Sequence, residues 1–148
     1  MTVRGIDHVG ITVASLEAAL GFYRDLLGLP VTDEGEGAGA ELDAITGLSG
    51  VTMRYAELDL GSGRLLEVIQ MITPAGTPLD QRPCDAGATH LALRVDDVDA
   101  LYGRLVAAGV TVPGRPTTIT APGAWTGARC VYAQDPDGRT VELVQRPA

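Results

Sequence analysis

Apolar positions along this chain switch between two spacings, and the same succession of spacings occurs twice. Gly5-Ile-Asp-His8-Val-Gly-Ile-Thr-Val13 reads as a strand, and it returns 82 residues later as Gly87-Ala-Thr-His90-Leu-Ala-Leu-Arg-Val95. Behind the first copy, Leu16, Leu20, Tyr23 and Leu27 mark one helical face; Val98, Leu101 and Leu105 do the same behind the second. Ser15 and Asp97 precede these runs as N-caps, because a short side-chain oxygen satisfies a free backbone N–H at a helix start. Gly28 and Gly109 fall where a left-handed residue ends each helix.

A second block repeats near the end of each half. Gly63-Arg-Leu-Leu-Glu67-Val-Ile-Gln70 parallels Gly138-Arg-Thr-Val-Glu142-Leu-Val-Gln145. Turn residues precede both, Leu60-Gly-Ser-Gly63 and Asp135-Pro-Asp-Gly138, and each turn follows a predicted strand, 52–60 and 128–134. Each pair therefore reads as a hairpin. The expected fold class is α+β, with two tandem βαβββ modules in one 148-residue domain: module one about 1–73, a Pro/Gly-rich linker 74–86, and module two about 87–148. Modules of that size are poorly stable alone, so they are expected to pack as one unit.

The repeat selects the candidate chemistry. The chain has 2 histidines, His8 and His90, and they occupy the same position of the duplicated first strand. Glu67 and Glu142 are equivalent in the duplicated last strand. A histidine in a strand is more often a hydrogen-bonded residue than a ligand, and a strand glutamate usually faces solvent. Here both acids lie in apolar runs, Leu65-Leu-Glu-Val-Ile69 and Val141-Glu-Leu-Val144, where an unpaired carboxylate is costly. A metal, or a buried His–Glu hydrogen bond, removes that cost. Two imidazoles and two carboxylates make a mixed N/O set for a divalent first-row ion.

Charge narrows the partners. Eleven basic and 19 acidic residues leave a net charge of −8, which argues against nucleic acid and anionic membrane surfaces. No apolar run reaches the roughly 20 residues of a membrane span, and the first residues lack the apolar core of a signal peptide. Cys84 and Cys130 have no metal or redox spacing. These features predict a cytoplasmic protein with reduced thiols.

Four motifs carry a resemblance: Ile6-Asp-His-Val-Gly-Ile11, Phe22-Tyr-Arg-Asp-Leu-Leu-Gly-Leu29, Thr89-His-Leu-Ala-Leu93 and Asp135-Pro-Asp-Gly-Arg-Thr-Val-Glu-Leu143. In these the chain resembles the vicinal oxygen chelate superfamily, which includes glyoxalase I, methylmalonyl-CoA epimerase, extradiol dioxygenases and the fosfomycin and bleomycin resistance proteins. The resemblance implies a half-open curved sheet around one divalent metal ion per site (Ni, Co, Zn, Mn or Fe), with His8, Glu67, His90 and Glu142 as ligands. It also implies a homodimer. Four protein ligands on an octahedral ion leave two positions, which suits a lyase, isomerase or epimerase that stabilises an enolate or enediolate. Alternatives are a natural-product or antibiotic binding protein and an iron-dependent ring-cleaving dioxygenase. Glu142 or Glu67 is then the expected proton-transfer base, by the glyoxalase resemblance, and Glu41 or its neighbour Asp43 by the epimerase resemblance. Both of the latter lie in the acidic run Asp33–Asp43, which by composition reads as a solvated mobile loop. Tyr55, Trp125 and Arg129 are the candidates for substrate contact: two aromatics to line or cap a pocket and a cation for a carboxylate or phosphate.

Overall fold

A computed structural model describes residues 2–147. The chain forms two compact units, one running to Pro78 and the other beginning at Leu79. The first contains β1 (His8–Thr12), α1 (Leu16–Leu20), a π-helical continuation (Gly21–Leu26), β2 (Val31–Ala38), α2 (Ala40–Thr46), β3 (Thr52–Asp59) and β4 (Leu65–Thr73). The second contains β5 (His90–Arg94), α3 (Val98–Ala107), β6 (Thr117–Thr118), β7 (Arg129–Gln134) and β8 (Thr140–Gln145). Strand orders are β1-β4-β3-β2 and β5-β8-β7-β6, so each unit is a βαβββ sheet of the expected α+β class. The first and last strands of each unit run parallel, and the remaining pairs are antiparallel. No helix among the described residues is long and apolar enough to cross a membrane.

The helix covers one face of each sheet. Ile11, Ala56, Leu58, Leu66 and Val68 are buried on that face of the first sheet, under Leu16, Ala19 and Leu20 of α1 and Phe22 and Tyr23 of its continuation. In the second unit Val131, Ala133, Val141 and Leu143 are buried, as are Val98 and Leu105 of α3. Each fully buried side chain of this size contributes about 1.5–3 kcal/mol. With the even positions of β4 and the odd positions of β8 committed to these cores, Glu67 and Glu142 are turned to the opposite face by strand alternation.

Equivalent polar contacts fasten helix to sheet in both units. Gln70 Oε1 accepts from the Leu16 backbone N–H (3.2 Å), and Gln145 Oε1 accepts from that of Val98 (3.1 Å). Ser15 and Asp97 cap the helices as predicted, each accepting from the N–H three residues on. Arg54 pairs with Glu17 at 2.6 Å, and Arg129 with Asp99 at 2.7 Å. These are exposed pairs and add little to stability; their significance is that the repeat extends to residues the motif comparison left unmatched.

The acidic run Asp33–Asp43 is not a loop. It forms most of β2, paired antiparallel with β3, and the start of α2. Its glycines make this possible: a Cβ on Gly35 would stand 2.8 Å from the Tyr55 ring, and one on Gly37 would stand 2.9 Å from the Leu42 side chain. The Asp43 carboxylate accepts from the N–H groups of Gly50 and Val51 at 2.9 and 2.8 Å. Those bonds hold its pKa below the ordinary carboxylate value and make it a fastener of the α2–β3 turn.

Gln70 also donates to the Ala14 carbonyl (3.2 Å), so one side chain satisfies two backbone groups at the helix start. Replacing Gln70 by Leu removes both contacts and is expected to cost about 1–2 kcal/mol. Urea unfolding should show a lower midpoint at unchanged m-value.

Candidate metal centre

Parallel pairing brings each histidine to its glutamate. Gly10 pairs with Glu67 and Ala92 with Glu142, while His8 and His90 stand two residues earlier on the same face of their strands. His8 Nε2 lies 3.4 Å from Glu67 Oε2, and His90 Nε2 lies 3.4 Å from Glu142 Oε2. The imidazoles are about half exposed (47% and 46%), whereas the carboxylates are recessed at 24% and 13%. Each pair is thus anchored at its acid and approachable at its base.

The donor chemistry fits a divalent ion. Asp7 Oδ1 lies 2.9 Å from His8 Nδ1, and this hydrogen bond, followed in weight by the Glu67 charge among the groups that favour protonation, raises the His8 pKa above its ordinary 6.5 against the opposing pull of desolvation. A neutral ring that donates Nδ1–H to Asp7 turns the Nε2 lone pair toward the Glu67 oxygen. Two acceptors at that distance are drawn together by a cation between them, a proton or a metal ion. Ligands at 2.0–2.2 Å from one ion stand roughly 3–3.5 Å apart, as these do. An outer carboxylate on the far ring nitrogen is the usual way to orient a metal-binding imidazole. Within either unit no third His, Cys, Asp or Glu among the described residues joins the pair to make a three-ligand group.

The remaining candidates fall in different places. Tyr55 pairs with Ile69 on the Glu67 face, with its hydroxyl donating to Asp33 Oδ2 at 3.0 Å. Glu41 sits exposed in the first turn of α2. Arg129 is on the helix side of its sheet, three positions from Tyr132, where it pairs with Asp99 and donates to Thr118. Its charge is paired with Asp99 at the start of α3. Trp125 is 39% exposed and braced by Arg146, whose guanidinium carbon lies 3.8 Å from the ring centroid.

Two residues at the pairs escaped the sequence reading. Glu57 is directly opposite Glu67, and Tyr132 is directly opposite Glu142, with its ring centroid 5.5 Å from that of His90. Counting back from the turns would have found both, since Leu60 bonds Arg64 and Asp135 bonds Arg139, which sets the hairpin register. A cavity of about 550 Å³ in the second unit is lined by Glu142 and Thr140 of β8, Cys130, Tyr132 and Gln134 of β7, and Arg115. Burial, with Glu142 adding to it, pushes the Cys130 thiol pKa up, so the thiol is protonated at neutral pH.

The Tyr55–Asp33 contact has a pH signature. The phenol donates to a carboxylate, so ionising it would place two negative charges together, and its pKa is raised above the ordinary 10.0. An absorbance titration should show one of the 4 tyrosines ionising late, and Asp33→Asn should bring that component down.

Comparison with known proteins gives the family. The model of the Glyoxalase/Bleomycin resistance protein/Dioxygenase superfamily matches residues 5–143. A 2-epi-5-epi-valiolone epimerase of Actinomyces sp is 37% identical, over 100% of this chain and 86% of that protein. The metallothiol transferase FosB of Shouchella clausii is 24% identical, over 95% and 80%. The crystal structure of a glyoxalase family protein from Bacillus cereus has a TM-score of 0.84 at 22% identity, covering 100% of this chain and 97% of that one, a likeness of fold. Two βαβββ units with duplicated His–Glu pairs, matched nearly end to end, make this chain a member of the glyoxalase/bleomycin resistance protein/dioxygenase superfamily.

Proposed function

We propose that this chain is a divalent-metal-dependent epimerase of small hydroxy ketones, with His8, Glu67, His90 and Glu142 as the ligands of the ion. The observation that carries the reading is the 3.4 Å His–Glu approach, present in both units at duplicated positions. The 37% identical relative named as an epimerase supports the choice of reaction. The metallothiol transferase relative supports metal dependence. A bound divalent ion would act as a Lewis acid towards two substrate oxygens and lower the cost of charge on a carbonyl oxygen.

The chain's own groups have distinct duties in this reading. His8 and His90 supply neutral nitrogen donors, with His8 held in the required tautomer by Asp7. The two carboxylates offset the charge of a 2+ ion. An epimerisation removes a proton beside a carbonyl and returns it to the other face, so it needs carboxylates close to the reacting carbon. Glu142 faces the cavity of the second unit and is the first choice for proton transfer. Glu67 is the second, with Glu57 beside it. Tyr132 and the protonated Cys130 form the wall next to Glu142 and limit water there. A cytoplasmic homodimer remains part of the proposal.

Elemental mass spectrometry of protein purified without added metal should find about one divalent ion for each set of four ligands; two ions per chain, or none on incubation with metal, overturns the shared site. With 2-epi-5-epi-valiolone as first substrate, solvent deuterium should enter the product. Glu142→Gln should lower turnover about 100-fold or more and weaken metal retention. Full activity in that variant overturns the mechanism.

A further inference from the structure

The cavity beside Glu142 carries a cation that the proposed chemistry does not use. Arg115 lines it together with Tyr132, Gln134 and Thr140. The chain carries 11 arginines against 19 acidic residues, and several of them are held by carboxylates. Arg24, Arg54, Arg82, Arg129 and Arg139 are ion-paired, and Arg146 lies over Trp125. Among the described residues no carboxylate lies within ion-pair distance of the Arg115 guanidinium, although an acidic residue, Glu142, lines the same cavity. The residue sits in Pro113-Gly-Arg-Pro116, where a proline on its C-terminal side and another two residues before it restrict the backbone.

We propose that this cavity receives a phosphate ester, with the Arg115 guanidinium holding the phosphate while the oxygen-bearing end of the molecule lies by Glu142. The assignment adds phosphorylated hydroxy ketones to the substrates of the site proposed above and rests on that reading. Guanidinium presents a planar fork of N–H donors that matches two phosphate oxygens at once. A phosphate ester carries up to two negative charges, whereas a neutral polyol gains nothing from the Arg115 charge. Arg115 is exposed, so its head also meets solvent and can draw an anion toward a protein whose net charge is −8. A volume of about 550 Å³ falls in the range of small-molecule sites, roughly 300–1,000 Å³.

Dihydroxyacetone and dihydroxyacetone phosphate differ only in the phosphate and test the assignment directly. On manganese-loaded protein, calorimetry should give at least a tenfold lower Kd for the phosphate ester, an advantage that shrinks as salt is raised. Arg115→Gln should bind the two compounds equally while keeping the wild-type melting temperature and affinity for dihydroxyacetone. Equal affinity in the wild type, or a preference that survives in Arg115→Gln, overturns the proposal. Inorganic phosphate is the second probe, applied to metal-free protein. Phosphate binding that is lost in Arg115→Gln supports the anchor even if no metal is ever taken up, an outcome that would overturn the metal reading alone. Metal uptake without discrimination between the two trioses would overturn the anchor alone.

Discussion

The parallel pairing of first and last strand is the constraint on which the rest of each unit depends. Parallel neighbours cannot be joined by a tight turn, so the chain must cross over between them, and the crossover places a helix on one face. Covering that face commits alternate positions of the last strand to the core: Leu66 and Val68 in one unit, Val141 and Leu143 in the other. The glutamate between them is turned to the opposite face by the pleat. The same pairing sets β1 against β4 and β5 against β8 in equivalent registers, which brings a histidine nitrogen within 3.4 Å of the carboxylate twice.

The duplication separates what the fold needs from what the chemistry needs. The Gln70 and Gln145 contacts to the helix starts, the Ser15 and Asp97 caps, and the Arg54–Glu17 and Arg129–Asp99 pairs recur because each unit must fix one helix on one sheet. The residues facing the glutamates across the hairpin do not recur: Glu57 in the first unit, Tyr132 in the second. Like charges directly opposite one another are unfavourable in a sheet. Glu57 beside Glu67 is therefore a cost that a nearby cation would offset. Tyr132 instead gives Glu142 an apolar wall and a cavity.

Arg129 shows what residue type alone leaves open. A strand cation reads as a ligand for an anion until the register shows which face it occupies, and Arg129 is on the helix face, bound to Asp99. Arg115, in a short loop with no periodic pattern, drew no attention in the sequence and lines the cavity. The acidic glycine-rich run misled for a related reason. Composition reads as a solvated loop, but Gly35 and Gly37 are there because the Tyr55 and Leu42 side chains occupy the space their Cβ atoms would need.

The sequence by itself determined the two βαβββ units, their order of elements, the helix caps and the His–Glu quartet, because all of these are local periodicities or repeated blocks. Tertiary structure decided the contacts that depend on strand register and on which face a side chain takes. These are the 3.4 Å approach of histidine to glutamate, the Glu57 and Tyr132 neighbours, the Arg129–Asp99 pair, and the cavity that joins Glu142 to Arg115. The physical reason is that a strand's pattern says which residues share a face, while only the pairing of strands says what that face meets.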